Sequence, residues 1–204
     1  MKKFLLLLLV AFFVSGVSQA VAYDYGVEIG DTVTWDGNYV GSGGVFGFTD
    51  VDSGYTWSSF CVETSQFLGS TMTVTGIGYS NSSGTATLTD NVAWLYWNFS
   101  EGSLSGYTGT QDNQRDLQNL IWSQLGLASV SNTQIEAWLN LATTATTPKD
   151  GWRNNGQVQI VQFGTAQDVL IAGTNPVPEP TTMALLGIGL LGLVAVGRKK
   201  ATKN

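Results

Sequence analysis

The spacing of apolar positions changes twice along the chain. Val27 to Trp35 reads as a first strand region, Tyr55 to Thr64 is rich in aromatic and β-branched residues, and Thr71 to Tyr79 alternates apolar and polar residues with the period of a strand. Asp36-Gly37-Asn38 and Asn81-Ser82-Ser83-Gly84 supply turn signals, and Thr85 to Leu88 returns after the second. Tyr39 to Phe48 is rich in glycine and reads as a loop or an irregular strand pair. Along Tyr55–Thr64, Phe60, Val62 and Thr64 point one way, while Cys61 and Glu63 share the other face.

From Asp90 the period lengthens to that of a helix. Thr89 or Asp90 caps a stripe of Val92, Leu95, Tyr96 and Phe99, with Trp94 and Trp97 on its flanks. A second helix is expected from about Asp112 to Leu125, ended by Gly126. Thr133 and Glu136 have capping-box spacing for a third, with Ile135, Trp138, Leu139 and Ala142 on one side. Pro148 and Gly151 end the helical section, and Val158–Phe163 and Val169–Ala172 read as strands. The fold class is α+β: β-sandwich-like strands with an inserted three-helix section.

The two ends carry a third pattern, unbroken apolar runs beside lysine and arginine. Lys2 and Lys3, the apolar stretch Phe4–Val14 and the small-x-small site Ala20-Val21-Ala22 make residues 1–22 a signal peptide. At the other end, residues 175–204 hold Pro176-Val177-Pro178-Glu179-Pro180, then the uncharged run 183–197, then Arg198-Lys199-Lys200. Proline neither continues a helix nor donates to a sheet, so it separates the run from the domain upstream. Fifteen helical residues reach about 22 Å, against about 30 Å of hydrocarbon, which makes 183–197 a short transmembrane helix with its basic end in the cytoplasm. Its Gly187-Ile-Gly189-Leu-Leu-Gly192 matches a dinucleotide fingerprint in letters alone, since no strand precedes it and no acidic residue follows. Residues 23–174 remain as one exported domain.

That tripartite tail resembles the PEP-CTERM sorting signal of Gram-negative bacteria, carried here by Val177, Pro178, Glu179 and Pro180. The resemblance implies transient partners, an exosortase and the inner membrane, and then delivery to the cell surface or extracellular matrix.

Charge narrows the function of the exported part. Between Tyr23 and Thr174 there are three basic residues, Arg115, Lys149 and Arg153, against fourteen acidic ones, a net charge of −11. This balance argues against nucleic acid and anionic lipid surfaces as partners, because binding either relies on Lys and Arg. The chain has no histidine, which removes Ser-His-Asp and Cys-His catalysis and the commonest zinc ligand sets. No metal or cofactor is expected, and the domain reads as non-enzymatic. Asp50-Val51-Asp52-Ser53-Gly54 lacks the later ligands of a calcium loop and reads as a solvated turn. A polysaccharide-binding or polysaccharide-hydrolysing protein is the alternative, with two of Glu63, Glu101, Asp112 and Asp116 as its acids. The seven tryptophans and seven tyrosines read mostly as core.

Two residues break the pattern around them. Cys61 is the sole cysteine, on an export route that permits disulfides, so it is buried, paired between chains, or committed to other chemistry. On the second helix Gln118 falls inside the apolar arc of Leu117, Leu120, Ile121 and Leu125, with Gln114 one turn before it. A glutamine amide facing a core needs partners. Phe60-Cys61-Val62-Glu63, Ala93-Trp94-Leu95-Tyr96 and Leu117-Gln118-Asn119-Leu120-Ile121-Trp122 together resemble the thioester domains of bacterial surface adhesins. That resemblance implies a Cys61–Gln118 thioester open to attack by an external amine. The chemistry further asks for a proton acceptor, for which Glu63 shares the face of Cys61, and for exclusion of water, which Trp94, Trp97 and Trp122 are placed to supply. Leu117 and Leu120 depart from the family's usual Thr and Ala. The other reading of the pair is a small buried thiol and an amide bonded to backbone.

Overall fold

Strand β3 (Phe46–Asp50) shows how the sheets are built: Phe46, Phe48 and Asp50 are buried and Gly47 and Thr49 are not, as period two requires. The computed structural model describes residues 22–37 and 43–177. Residues 1–21, 38–42 and 178–204 lie outside them; these hold the expected signal peptide apart from its last residue Ala22, part of the expected Asp36–Asn38 turn and Tyr39–Phe48 loop, Pro178–Pro180 and the apolar run 183–197. Among the described residues no helix is long and apolar enough to cross a membrane.

Strands β1 (Ala22–Asp24) and β9 (Thr174–Val177) form a two-stranded pair, where the Thr174 hydroxyl donates to the Asp24 carbonyl. Strands β2 (Thr32–Trp35), β3, β4 (Thr56–Ser59) and β5 (Thr71–Thr73) make an antiparallel sheet in the order β4-β3-β2-β5. A second antiparallel sheet holds β6 (Gly76–Gly78), β7 (Val158–Gln162) and β8 (Val169–Ala172) in that order. Thr71–Tyr79, expected as one strand, is therefore two, because the chain changes sheets at Val74 and Thr75. There Val74 N–H goes to Asp31 O and Thr75 N–H to Gln162 O.

The opposite corner is made by Phe60–Val62, which runs on from β4 to lie beside β8. Cys61 bridges Val169, with Val62 N–H donating to Asp168 O and Leu170 N–H to Phe60 O. The first strand is shorter than Val27–Trp35, since the chain turns at Gly30, whose φ is 104°. Thr85–Leu88 returns through one isolated bridge, Ser80 to Thr87.

Helices α1 (Asp90–Ser100), α2 (Gln111–Gln124) and α3 (Thr133–Thr146) stand between β6 and β7 in sequence. Thr89 caps α1 and Thr110 caps α2, each accepting an N–H in the first turn. The α3 cap sits one residue before the expected box: Asn132 accepts Ile135 N–H, and the Glu136 carboxylate accepts the Ser131 hydroxyl. Asparagine competes well for that position, and its side-chain oxygen reaches the Ile135 N–H.

Two cores result. One fills the space between the sheets, with Val33, Phe48, Trp57, Cys61, Val161 and Val169. The other lies between the helices and the second sheet, with Phe60, Val62, Leu95, Trp138, Ile160 and Leu170. Strands that separate two cores are buried on both faces. The expected division along the Cys61 strand follows from this: Phe60 and Val62 face the helices and Cys61 faces the sandwich.

Candidate functional site

The position of Cys61 at the corner decides which backbone groups need partners. In its bridge with Val169 the hydrogen bonds are made by neighbours, Val62 N–H and Phe60 C=O, so the N–H and C=O of Cys61 point away from β8. Both are buried, and each would cost about 1–3 kcal/mol if left without a partner. The side chain of Gln118 takes both. Cys61 N–H donates to Gln118 Oε1 at 2.9 Å, and Gln118 Nε2 donates to Cys61 O at 2.8 Å. One amide thus stands in for a residue of a neighbouring strand. This answers how a fully buried glutamine is tolerated on the apolar arc of α2 beside Leu117, Leu120 and Ile121.

Gly43 makes room for the amide. A Cβ on Gly43 would lie 2.6 Å from Gln118 Cγ and 3.1 Å from Trp122 Cη2, and the residue's φ is 127°. Gly43 is therefore packed against the pair, a contact that composition did not reveal. Gln114, one turn before Gln118 on α2, is half-buried and donates to Gly109 O instead.

The amide plane is set by hydrogen bonds that run within the sheet, while strand side chains stand across it. The Cys61 side chain therefore rises from the plane that holds the Gln118 amide. The thiol is 1 % exposed by residue and makes no disulfide. Burial, and then the charge of Glu63, push its pKa up. It is kept as SH.

Glu63 is also buried, but its oxygens are engaged elsewhere. Oε1 accepts Asp168 N–H at 2.8 Å and Oε2 accepts Asn81 Nδ2–H at 3.3 Å. Asp168 in turn accepts Phe163 N–H, Ser82 N–H and the Ser82 hydroxyl, and Gln167 Nε2 donates to Glu63 O. Glu63 acts on the thiol through space and belongs to a network that pins the Asn81–Gly84 turn to the corner. Desolvation, the largest cause, lifts its carboxyl above the ordinary value of 4.5.

A group that binds its proton more tightly when folded stabilises the fold in acid. Its contribution is fully present below the unfolded pKa and is lost as pH rises through the folded one. Melting followed from pH 4 upward is expected to show this loss beginning near 4.5. Glu63→Gln, neutral throughout, should flatten that part of the profile. An unchanged slope would remove Glu63 as its source.

Of the three tryptophans expected to exclude water, Trp122 alone packs with the Cys61 core. Trp94 and Trp97 lie against the helical core on the other side of the corner. Beside the thiol lies a cavity of about 320 Å³, whose walls include Phe46, Thr64, Gln66, Phe67 and Trp122. Gln66 and Gln167 were not singled out by sequence, because polar residues just past a strand carry no periodic signal.

The other acids are dispersed. Glu101 lines a groove of about 590 Å³ with Asp36, Tyr55, Trp57, Tyr96 and Phe99. Asp112 pairs with Arg115 at 2.6 Å on the exposed side of α2, and Asp116 accepts from Asn132. Asp31, Asp50 and Asp52 bring carboxylate oxygens within 4.8 Å of one another. Asp50 there accepts Asp52 N–H, Ser53 N–H and the Ser53 hydroxyl, which hold its pKa down, and Asp31 accepts Glu28 N–H. The segment from Asp50 to Gly54 is a turn, with Gly54 at φ 73°.

Comparison with protein families matches residues 176–200 to the PEP-CTERM protein-sorting motif. Searches of curated proteins and of solved structures returned no match.

Proposed function

Taking as premise that this is a PEP-CTERM protein, whose motif implies export and handling by an exosortase at the membrane, we propose that it is delivered to the cell surface or matrix. There, on this reading, it serves as a non-enzymatic attachment protein that bonds covalently through a Cys61–Gln118 thioester. The observation that supports this is the Gln118 amide held on the main chain of Cys61, the residue that bears the thiol.

The chemistry runs as one substitution. Sγ bonds to Cδ of Gln118, the Cδ–Nε2 bond breaks, and ammonia leaves carrying the thiol proton. Charge that develops on Oε1 falls on the atom already accepting Cys61 N–H, the arrangement of an oxyanion hole. The departing nitrogen is the one held by Cys61 O. Holding both groups in one geometry replaces an encounter in solution, worth orders of magnitude in rate. A surface amine then attacks Cδ, forms an amide, and returns the thiol.

Intact mass spectrometry of the purified protein tests it. The wild type is expected to lack one ammonia relative to its sequence. Cys61→Ala and Gln118→Ala should each have full mass, and methylamine should convert the deficit to an adduct. Full mass with a titratable thiol would leave Cys61 a packing residue.

A second reading rests on the larger groove. Tyr55 and Trp57 stack there with ring centroids 6.0 Å apart at 20°, and Glu101 and Asp36 add carboxylates, the lining of a glycan site. Turnover of extracellular polysaccharide by the purified protein, abolished by Glu101→Gln, would decide for it. No turnover is expected.

A further inference from the structure

Two polar atoms are withdrawn from solvent and have no hydrogen-bond partner among the described residues: Gln66 Oε1 and Trp122 Nε1. Both side chains line the cavity of about 320 Å³. A buried group without a partner forfeits the hydrogen bonds that water would have supplied, and native folds leave few such groups. One bare acceptor and one bare donor on the wall of a single cavity mark a place where another group bonds. Gln167, the other amide of the wall, differs: its Nε2 is bonded to Glu63 O. Gln66 itself is half-buried on a segment that is neither helix nor strand, so its side chain is free to turn as an occupant enters.

The wall specifies the chemistry of that occupant. None of its residues carries a formal charge at neutral pH, with burial holding Cys61 as the thiol. A carboxylate, phosphate or ammonium group would therefore enter without a countercharge. The bare pair calls for one N–H and one C=O, the complement of a secondary amide. A primary amide would bring a second N–H that these two atoms leave unpaired. A peptide bond inside a chain continues on both sides, whereas an acetamido group ends in a methyl, which suits the apolar wall of Phe46 and Trp122. Phe67 belongs to the same wall yet is 88 % exposed, so its ring offers a free face to the C–H side of a pyranose.

We propose that this cavity binds the acetamido group of an N-acetylated hexosamine in an extracellular glycan. The acetamido N–H donates to Gln66 Oε1, its C=O accepts Trp122 Nε1–H, and the sugar ring lies on Phe67. No covalent step is involved. The assignment rests neither on the Cys61–Gln118 thioester nor on the groove at Glu101, and adds to them a noncovalent hold on one class of sugar.

Ligand-observed NMR titration of the purified full chain tests it, in a detergent without a sugar headgroup. The probes are methyl N-acetyl-β-glucosaminide, methyl β-glucoside and N-acetylasparagine amide, a protein-like amide without a ring. The glucosaminide is expected to bind at least about tenfold tighter than the glucoside, since the acetamido group alone makes the two buried hydrogen bonds. It should also bind more tightly than the asparagine derivative, which has no ring to place on Phe67. Gln66→Leu and Trp122→Phe should each weaken the glucosaminide about tenfold. Phe67→Ala, at an exposed position that folding does not need, should weaken it about fivefold and decides the matter if the other two variants fail to fold.

No binding of the glucosaminide, equal binding of the two glycosides, an asparagine derivative that binds as tightly, or a folded variant with full affinity would each overturn the assignment. The last result would move the sugar to another place, such as the groove of Tyr55 and Trp57. Intact mass of the same samples reports the thioester separately, so the failure of either reading is seen apart from the other.

Discussion

In a Cys61→Ala background, adding Gln118→Leu is expected to lower the melting temperature by about 10 °C. The background removes thiol chemistry, so the comparison isolates the amide. Leucine fills nearly the same volume but leaves Cys61 N–H and C=O, both buried, without the partners they have at 2.9 and 2.8 Å. Two orphaned groups at about 1–3 kcal/mol each make a loss near 3–4 kcal/mol, and a chain of this size shifts about 2–4 °C per kcal/mol. The effect should exceed that of Cys61→Ala measured in Gln118→Leu chains, where only a small thiol is lost. A shift under about 3 °C would mean that the corner relaxes to pair its backbone elsewhere, and that the amide does not hold it.

Deleting Pro178–Pro180 is expected to hold the protein at the inner membrane in full-length form, an all-or-none change in fractionation. The motif match covers residues 176–200, so the deletion removes its proline segment and leaves the apolar run and Arg198-Lys199-Lys200 intact. The apolar run with its basic stop is still expected to insert, whereas the deletion removes Pro178, Glu179 and Pro180, the residues that set this tail apart from an ordinary anchor. Identical fractionation of the intact and deleted chains would detach sorting from these residues.

The helices were legible because their signals are local. Thr89, Gly126 and the stripe of Val92, Leu95 and Tyr96 fix an element within one or two turns of chain. The division of Phe60 and Val62 from Cys61 was legible too, since strand alternation is a matter of period alone. So was the burial of Gln118, from its angle on α2. What sat on that amide was not legible. Its partners are the main chain of a residue 57 positions away, and main-chain groups carry no sequence signature. Sheet exchange at Val74–Thr75 was hidden for a related reason: alternation continues through a corner, and only the nonlocal partners differ. Asn132 and Thr133 illustrate a nearer limit, where two good caps stand side by side and tertiary packing selects one.

The corner at Cys61 also has a mechanical meaning. Were the chain bonded at Gln118, as proposed, and held through its C-terminal segment, tension would run between those two points. Pulling at Thr174 loads β8 along its own axis, against β7 on one side and Phe60–Val62 on the other. Hydrogen bonds in such a pair lie across the strand, so all of them resist together in shear and none can be peeled singly from an end. Cys61, bridged to Val169 in β8 and clamped by Gln118, sits where load passes from strand to helix. The same few residues that prepare the bond would then also carry its strain.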